Sequence, residues 1–168
     1  MTDKDAKFRF DRDRARDILK EFINKPNVYP SVHYPEYTYD SLHSLTSLFD
    51  YPYVVWLPET HNISHRVFCI NPGCKCTPSV KGYHFRIVED LNHRTVLLYM
   101  SYLCNDSRRS FNTVTPEYFK RNPTHALLMP YYLSHKHGIS MDVFDSLHES
   151  MMGRGKLSAN CIIQCMLT

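Results

Sequence analysis

Four of the six cysteines fall where metal chemistry needs them. Cys69, Cys74 and Cys76 share one stretch, HRVFCINPGCKCTP, and Cys104 closes a hydrophobic one, LLYMSYLC. Thiolates on two turns, held face to face by a β-hairpin, are the layout of a zinc ribbon, in which Zn2+ takes four ligands at tetrahedral corners. Cys69-x4-Cys74 makes an acceptable first turn, because Pro72-Gly73 lets the chain bend back. A second turn should supply a second pair, usually Cys-x2-Cys. Here it reads Cys104-Asn-Asp-Ser107, and Ser is a poor zinc ligand.

The expected ligand set is Cys69, Cys74, Cys76 and Cys104, holding a structural Zn2+. Asp106, His65 and His84 are alternatives for the fourth position. The plain alternative is a set of buried thiols without metal, since free Cys is a common core residue. Zinc held by four cysteines has no open position for water and contributes folding energy, not hydrolysis. Cys161 and Cys165 lie four residues apart on a helical stretch and read as core packing.

A second constellation lies near the C-terminus. Two helical stretches separated by GRGKL have the spacing of a helix-turn-helix, whose second helix enters the major groove. Arg154 and Lys156 stand at its mouth, placed to meet phosphates. Arg108 and Arg109 follow Cys104 and could form a phosphate-binding rim beside the zinc turn. A helical hairpin in a core and a solvated charged face are the bland readings of the same residues.

Enzyme chemistry finds less. His61 and His65 lie four residues apart but beside Pro58 and Asn62, and His135-x-His137 lies near an expected helix end. No catalytic signature surrounds any Cys. Neither GxxxxGK[ST] nor GxGxxG occurs. The expectation is a protein without catalytic activity.

The elements that must position these residues follow from periodicity. Ala15, Ile18, Leu19, Phe22 and Ile23 predict a helix over 12–24, capped by Asp11 and stopped by Pro26. Residues 25–50, rich in Pro and Tyr, predict an irregular packed segment with one short helix near 40–49. Tyr53–Leu57, Arg66–Cys69, His84–Val88 and Thr95–Leu103 read as strands, the last apolar on both faces, with EDLNHR as a hairpin turn. Thr115-Pro116-Glu117 opens a helix. ALLMPYYLSHKHG reads as helical up to Gly138. Ser140 caps a further helix closed by Gly153, and Ser158 a last one. The predicted fold is α+β: a small antiparallel zinc-ribbon-like sheet, an N-terminal helix and a helical C-terminal half. The expected divisions are 1–50, 51–112 and 113–168.

The chain has 168 residues, of which 43% are hydrophobic, enough for a real core. Its net charge of +3 neither demands nucleic acid nor excludes a local basic face. No apolar run of membrane-spanning length and no apolar signal core are present, so an intracellular location and no membrane partner are expected, and with DNA as the partner a nuclear one. A reducing compartment makes clustered cysteines metal ligands before disulfides.

The order of features carries a resemblance. Trp56-Leu57-Pro58-Glu59 precedes the Cys69/Cys74 turn, then come Arg86–Leu91, Thr95–Cys104 and Ser110-Phe111, then helices. From Trp56 to the C-terminus this resembles an uncharacterised eukaryotic zinc-binding domain family found in transposon-derived proteins. It is similar to the zinc-ribbon and helical N-terminal modules of DDE transposases, which bind terminal DNA of the element. The resemblance implies a module for double-stranded DNA without a catalytic domain, a shortened or domesticated relic or a fragment of a longer product. The alternative expectation is a protein-interaction module, with a protein partner or a homodimer, built on the Tyr/Pro-rich segment and the apolar last helix.

Overall fold

The computed structural model describes residues 12–34, 51–134 and 137–154. Its frame is a hairpin of two long strands, β3 (Ser79–Glu89) and β4 (Arg94–Leu103). They pair antiparallel from Ser79↔Leu103 to Glu89↔Arg94, with one irregularity between Val80 and Gly82. The expected turn closes it: the Asp90 N–H donates to His93 O at 2.9 Å, and the Asp90 carboxylate accepts from Leu91 N–H at 2.7 Å.

Strand β4 is buried on both faces, as its unbroken apolar run requires. Val96, Leu98, Met100 and Tyr102 pack on one side with Leu57, Phe111 and Tyr118. Leu97 and Tyr99 pack on the other with Trp56, Val88, Met129 and Tyr131. Helix α1 (Arg12–Phe22) covers the first side, burying Ala15 and Leu19. It ends two residues before the expected 24; Asp11, its expected cap, lies outside the described residues, as does the expected helix near 40–49.

Five more strands complete one mixed sheet: β1 (Val32–His33), β2 (Tyr53–Val55), β5 (Ser110–Asn112), β6 (Tyr131–Leu133) and β7 (His137–Ser140). The order is β1-β2-β4-β3-β7-β6, with β5 also paired to β4. The β2–β4 and β3–β7 pairs are parallel and the others antiparallel. The sheet curls into a half-barrel. The expected small antiparallel ribbon is therefore corrected to a seven-stranded mixed sheet.

The expected helical C-terminal half is corrected with it. Among the described residues of that half, helices α2 (Pro116–Arg121) and α3 (Pro123–Leu128) have six residues each, and α4 (Met141–Arg154) is the one long helix. Thr115 caps α2, its hydroxyl accepting from Tyr118 N–H, and Ser140 accepts from Val143 N–H at the start of α4, as expected. Between α3 and α4 the expected helix to Gly138 is instead the β6–β7 hairpin. Pro130 lacks the N–H that would continue α3. The open edge of β3 offers Ile87–Glu89 for pairing, and β7 takes it. Arg66–Cys69, expected as a strand, has no sheet partner among the described residues; the Asn62 amide donates to Arg66 O at 2.7 Å, and His65 has φ +49°. No helix of the described residues is long and apolar enough to cross a membrane.

Candidate metal centre

The register of the β3–β4 hairpin locates the cysteines. Ser79 lies opposite Leu103, so the chain enters β3 and leaves β4 side by side, with Cys76 just before one strand and Cys104 just after the other. The first turn bends at Pro72-Gly73, where Gly73 takes φ +81°, a region open to residues without Cβ. Cys74 N–H donates to Asn71 O at 3.3 Å and closes that turn. The second turn joins β4 to β5 and is closed by Cys104 N–H donating to Arg109 O at 3.0 Å, with Arg108 at φ +51°.

The four cysteines lie close together in an arrangement compatible with a metal site. The Cys74 sulfur lies 3.3 Å from that of Cys76 and 3.6 Å from that of Cys104, and Cys76 and Cys104 are 2.8 Å apart. Cys69, Cys74 and Cys104 have their sulfurs within 4.8 Å of one another. Tetrahedral zinc at 2.3 Å from each sulfur separates the sulfurs by about 3.8 Å. Three of these thiols thus stand near the required spacing, and the Cys76–Cys104 pair would open by about 1 Å to hold that ion.

Two sulfurs also receive backbone donors. Asn71 N–H points to Cys69 Sγ at 3.4 Å and Ser107 N–H to Cys104 Sγ at 3.3 Å. Such donors stabilise negative charge on a sulfur and orient it for a cation. Ser107, which stands where a ribbon would place a ligand, also brings its hydroxyl to 3.6 Å from Cys69 Sγ. Hydrogen bonds from Cys76 and then Ser107 lower the Cys104 pKa to about 6. The thiol that serves Cys104 is raised to about 12 in Cys76, and burial raises Cys69. A metal ion would deprotonate the thiols that bind it.

The other expected site residues are placed as follows. Asp106 lies within 4.8 Å of Cys74 and Cys76 and is exposed; neither His65 nor His84 joins a metal-compatible group among the described residues. Arg108 is exposed beside the cluster. Arg109, also exposed, donates from Nη1 to Asn71 Oδ1 at 2.8 Å and so ties the two cysteine turns together. Arg154 ends α4, with its side chain outside the description, and Lys156, Cys161, Cys165 and the second helix of the expected helix-turn-helix lie outside the described residues.

Sequence reasoning missed Asn71 and Ser107 as donors to sulfur. Their signal is positional: each follows a cysteine by two or three residues inside a tight turn, where a backbone N–H can fold back on the sulfur. It also missed the buried carboxyl of Glu59, which is 6% exposed and accepts from Tyr102 Oη at 2.5 Å. Comparison with family models, curated proteins and solved structures finds no match for this chain.

Proposed function

We propose that the chain is a non-catalytic binding module in which Cys69, Cys74, Cys76 and Cys104 hold one structural Zn2+ and the basic residues around it contact double-stranded DNA. The convergence of four thiols from two turns carries the metal part of this reading. Thiolate donors favour zinc over magnesium or calcium, which take oxygen ligands. Four protein sulfurs would leave the ion no position for water, so its role would be to fix the turns. Exposed Arg108 beside the cluster supports the DNA part, with Arg109, Arg154 and Lys156 as further phosphate contacts. The motif order shared with transposon-derived modules belongs to the same reading.

Elemental analysis of the purified protein and of Cys104→Ser tests the metal. About one zinc per chain, lost in the variant, supports the site. Fluorescence anisotropy with a duplex tests the rest. Affinity should fall steeply between about 50 and 200 mM salt, and Arg108→Ala should reduce the slope by about one. No affinity for any duplex at low salt would end the DNA reading.

A protein-interaction module is the second reading, and an aromatic pair supports it. Tyr132 of β6 and Phe144 of α4 meet with ring centroids 4.6 Å apart, yet remain 47% and 41% exposed. Light scattering decides whether this pair serves self-association: a dimer that Phe144→Ser dissolves would favour it.

A further inference from the structure

Away from the cysteines, α1 and the β3–β4–β5 face flank an open cleft of about 600 Å³. That volume lies within the roughly 300–1,000 Å³ typical of small-molecule sites. Helix α1 contributes Arg12, Asp13 and Arg16, and the irregularity in β3 brings Lys81 to the same rim. The single carboxylate among these, Asp13, is paired with Arg16 at 2.8 Å, and Arg16 also meets Asp17 at 3.2 Å. The cleft wall is thus net cationic.

Its floor is neutral and polar. His84 Nε2 and Ser101 Oγ lie 2.9 Å apart. Burial, then the charges of Arg12 and Lys81, lower the His84 pKa. Gly82 keeps the floor open, since a Cβ there would come within 3.3 Å of His84 Nε2 and 3.4 Å of Ser101 Oγ. At the β5 side, Asn112 Oδ1 is buried without a hydrogen-bond partner among the described residues. A buried acceptor left alone is destabilising, and an anion alone would not relieve it. The complement of this cleft carries negative charge at one end and an O–H or N–H donor at the other.

We propose that the cleft binds a phosphorylated, hydroxyl-bearing small molecule of the sugar-phosphate or nucleotide class. The phosphate lies between Arg12, Arg16 and Lys81, whose guanidinium forks and ammonium suit its oxygens. A hydroxyl donates to Asn112 Oδ1. This site stands on its own residues and does not rest on the metal or on DNA.

The test is amide NMR on the full chain as purified, titrated with AMP and glucose 6-phosphate, then with adenosine, glucose and inorganic phosphate. At least one phosphorylated probe should give saturable shifts at Gly82, His84, Ser101 and Asn112, and its unphosphorylated parent none. Arg12→Ala/Lys81→Ala should weaken that probe at least about ten-fold. Its circular dichroism should match the parent chain, and Lys20→Ala, on the same helix, serves as a charge control that leaves binding unchanged. Asn112→Ala should weaken the organic phosphate while leaving inorganic phosphate as it was. Three results would overturn the proposal: no saturation by either probe at roughly 10 mM, equal affinity in the double variant, or shifts in the cleft produced by duplex DNA alone.

Discussion

Ser107 serves Cys104 through its backbone, the N–H donating to Sγ at 3.3 Å across the turn that joins β4 to β5. The same residue reaches Cys69 through its hydroxyl at 3.6 Å. One residue thus touches two of the four clustered cysteines, one by its main chain and one by its side chain. Ser107→Ala removes the long hydroxyl contact and keeps the N–H. We expect metal stoichiometry to persist and affinity to fall by less than about ten-fold, at the weak end of what outer-shell changes cost. Competition with a chromophoric chelator measures it. Cys104→Ser should abolish binding. If Ser107→Ala did the same, the hydroxyl oxygen would have to be a ligand.

Glu59 makes a pH prediction with a definite sign. Burial raises its pKa from the ordinary 4.5, against the opposing hydrogen bond from Tyr102, and Oε2 has no partner among the described residues. Between 4.5 and the raised native value, the folded chain keeps a proton that the unfolded chain has lost. Stability from this group is therefore full below the unfolded pKa and falls as pH rises through the folded one. Glu59→Gln stays neutral, so it should be more stable than the parent at about pH 8 and show no such advantage at about pH 4. Denaturant melts at both values compare them. Tyr102→Phe, which strips the carboxyl of its donor, should cost about 1–3 kcal/mol.

The parts of this fold that were legible are those where local pattern and tertiary pairing agree. The β3–β4 hairpin shows in an apolar strand, a polar turn and a second strand, and its register alone brings Cys76 beside Cys104. The capping hydroxyls of Thr115 and Ser140 are local chemistry and act as expected. The β6–β7 segment was not legible, because Leu127, Leu128, Tyr131 and Tyr132 fit helical and extended spacing alike. What decides is the open edge of β3, more than forty residues earlier in the chain, and periodicity does not carry that distance. The cleft beside α1 was hidden for a similar reason: Arg12, Lys81, Ser101 and Asn112 come to line it only once three strands and a helix are assembled.

Gly138 tests the corrected segment. It reads as a helix-ending glycine, yet it lies in β7 opposite Val88 of β3. A Cβ there would come within 2.6 Å of Leu133 Cδ2, 3.2 Å of Val88 Cγ2 and 3.3 Å of the Tyr132 carbonyl oxygen. Leu133 can turn aside, but the carbonyl belongs to the hairpin itself. Gly138→Ala should destabilise by about 1–3 kcal/mol and speed amide exchange along β7. A neutral or stabilising result, as at a helix terminus that merely tolerates glycine, would contradict the pairing.

Trp56, which directly follows β2, ties that strand to the chain leaving β5. It is the only tryptophan, 1% exposed, and its indole N–H donates to Thr113 O at 3.0 Å while its backbone N–H donates to Leu98 O at 2.8 Å. Thr113 directly follows β5, a three-residue strand held between the Cys104 turn and α2. So short a strand adds few ladder bonds of its own and depends on the turn that delivers it. If a metal fixes that turn, removing it with a chelator should release β5, free the Thr113 carbonyl and let water reach the indole. We expect Trp56 emission to move to the red on chelation, to return when zinc is restored, and to be red-shifted from the start in Cys104→Ser. An emission maximum that stays put after the metal has demonstrably left would mean that β4 and its two cores hold Trp56 without help from the cysteines, and would confine the metal's influence to the turns that bind it.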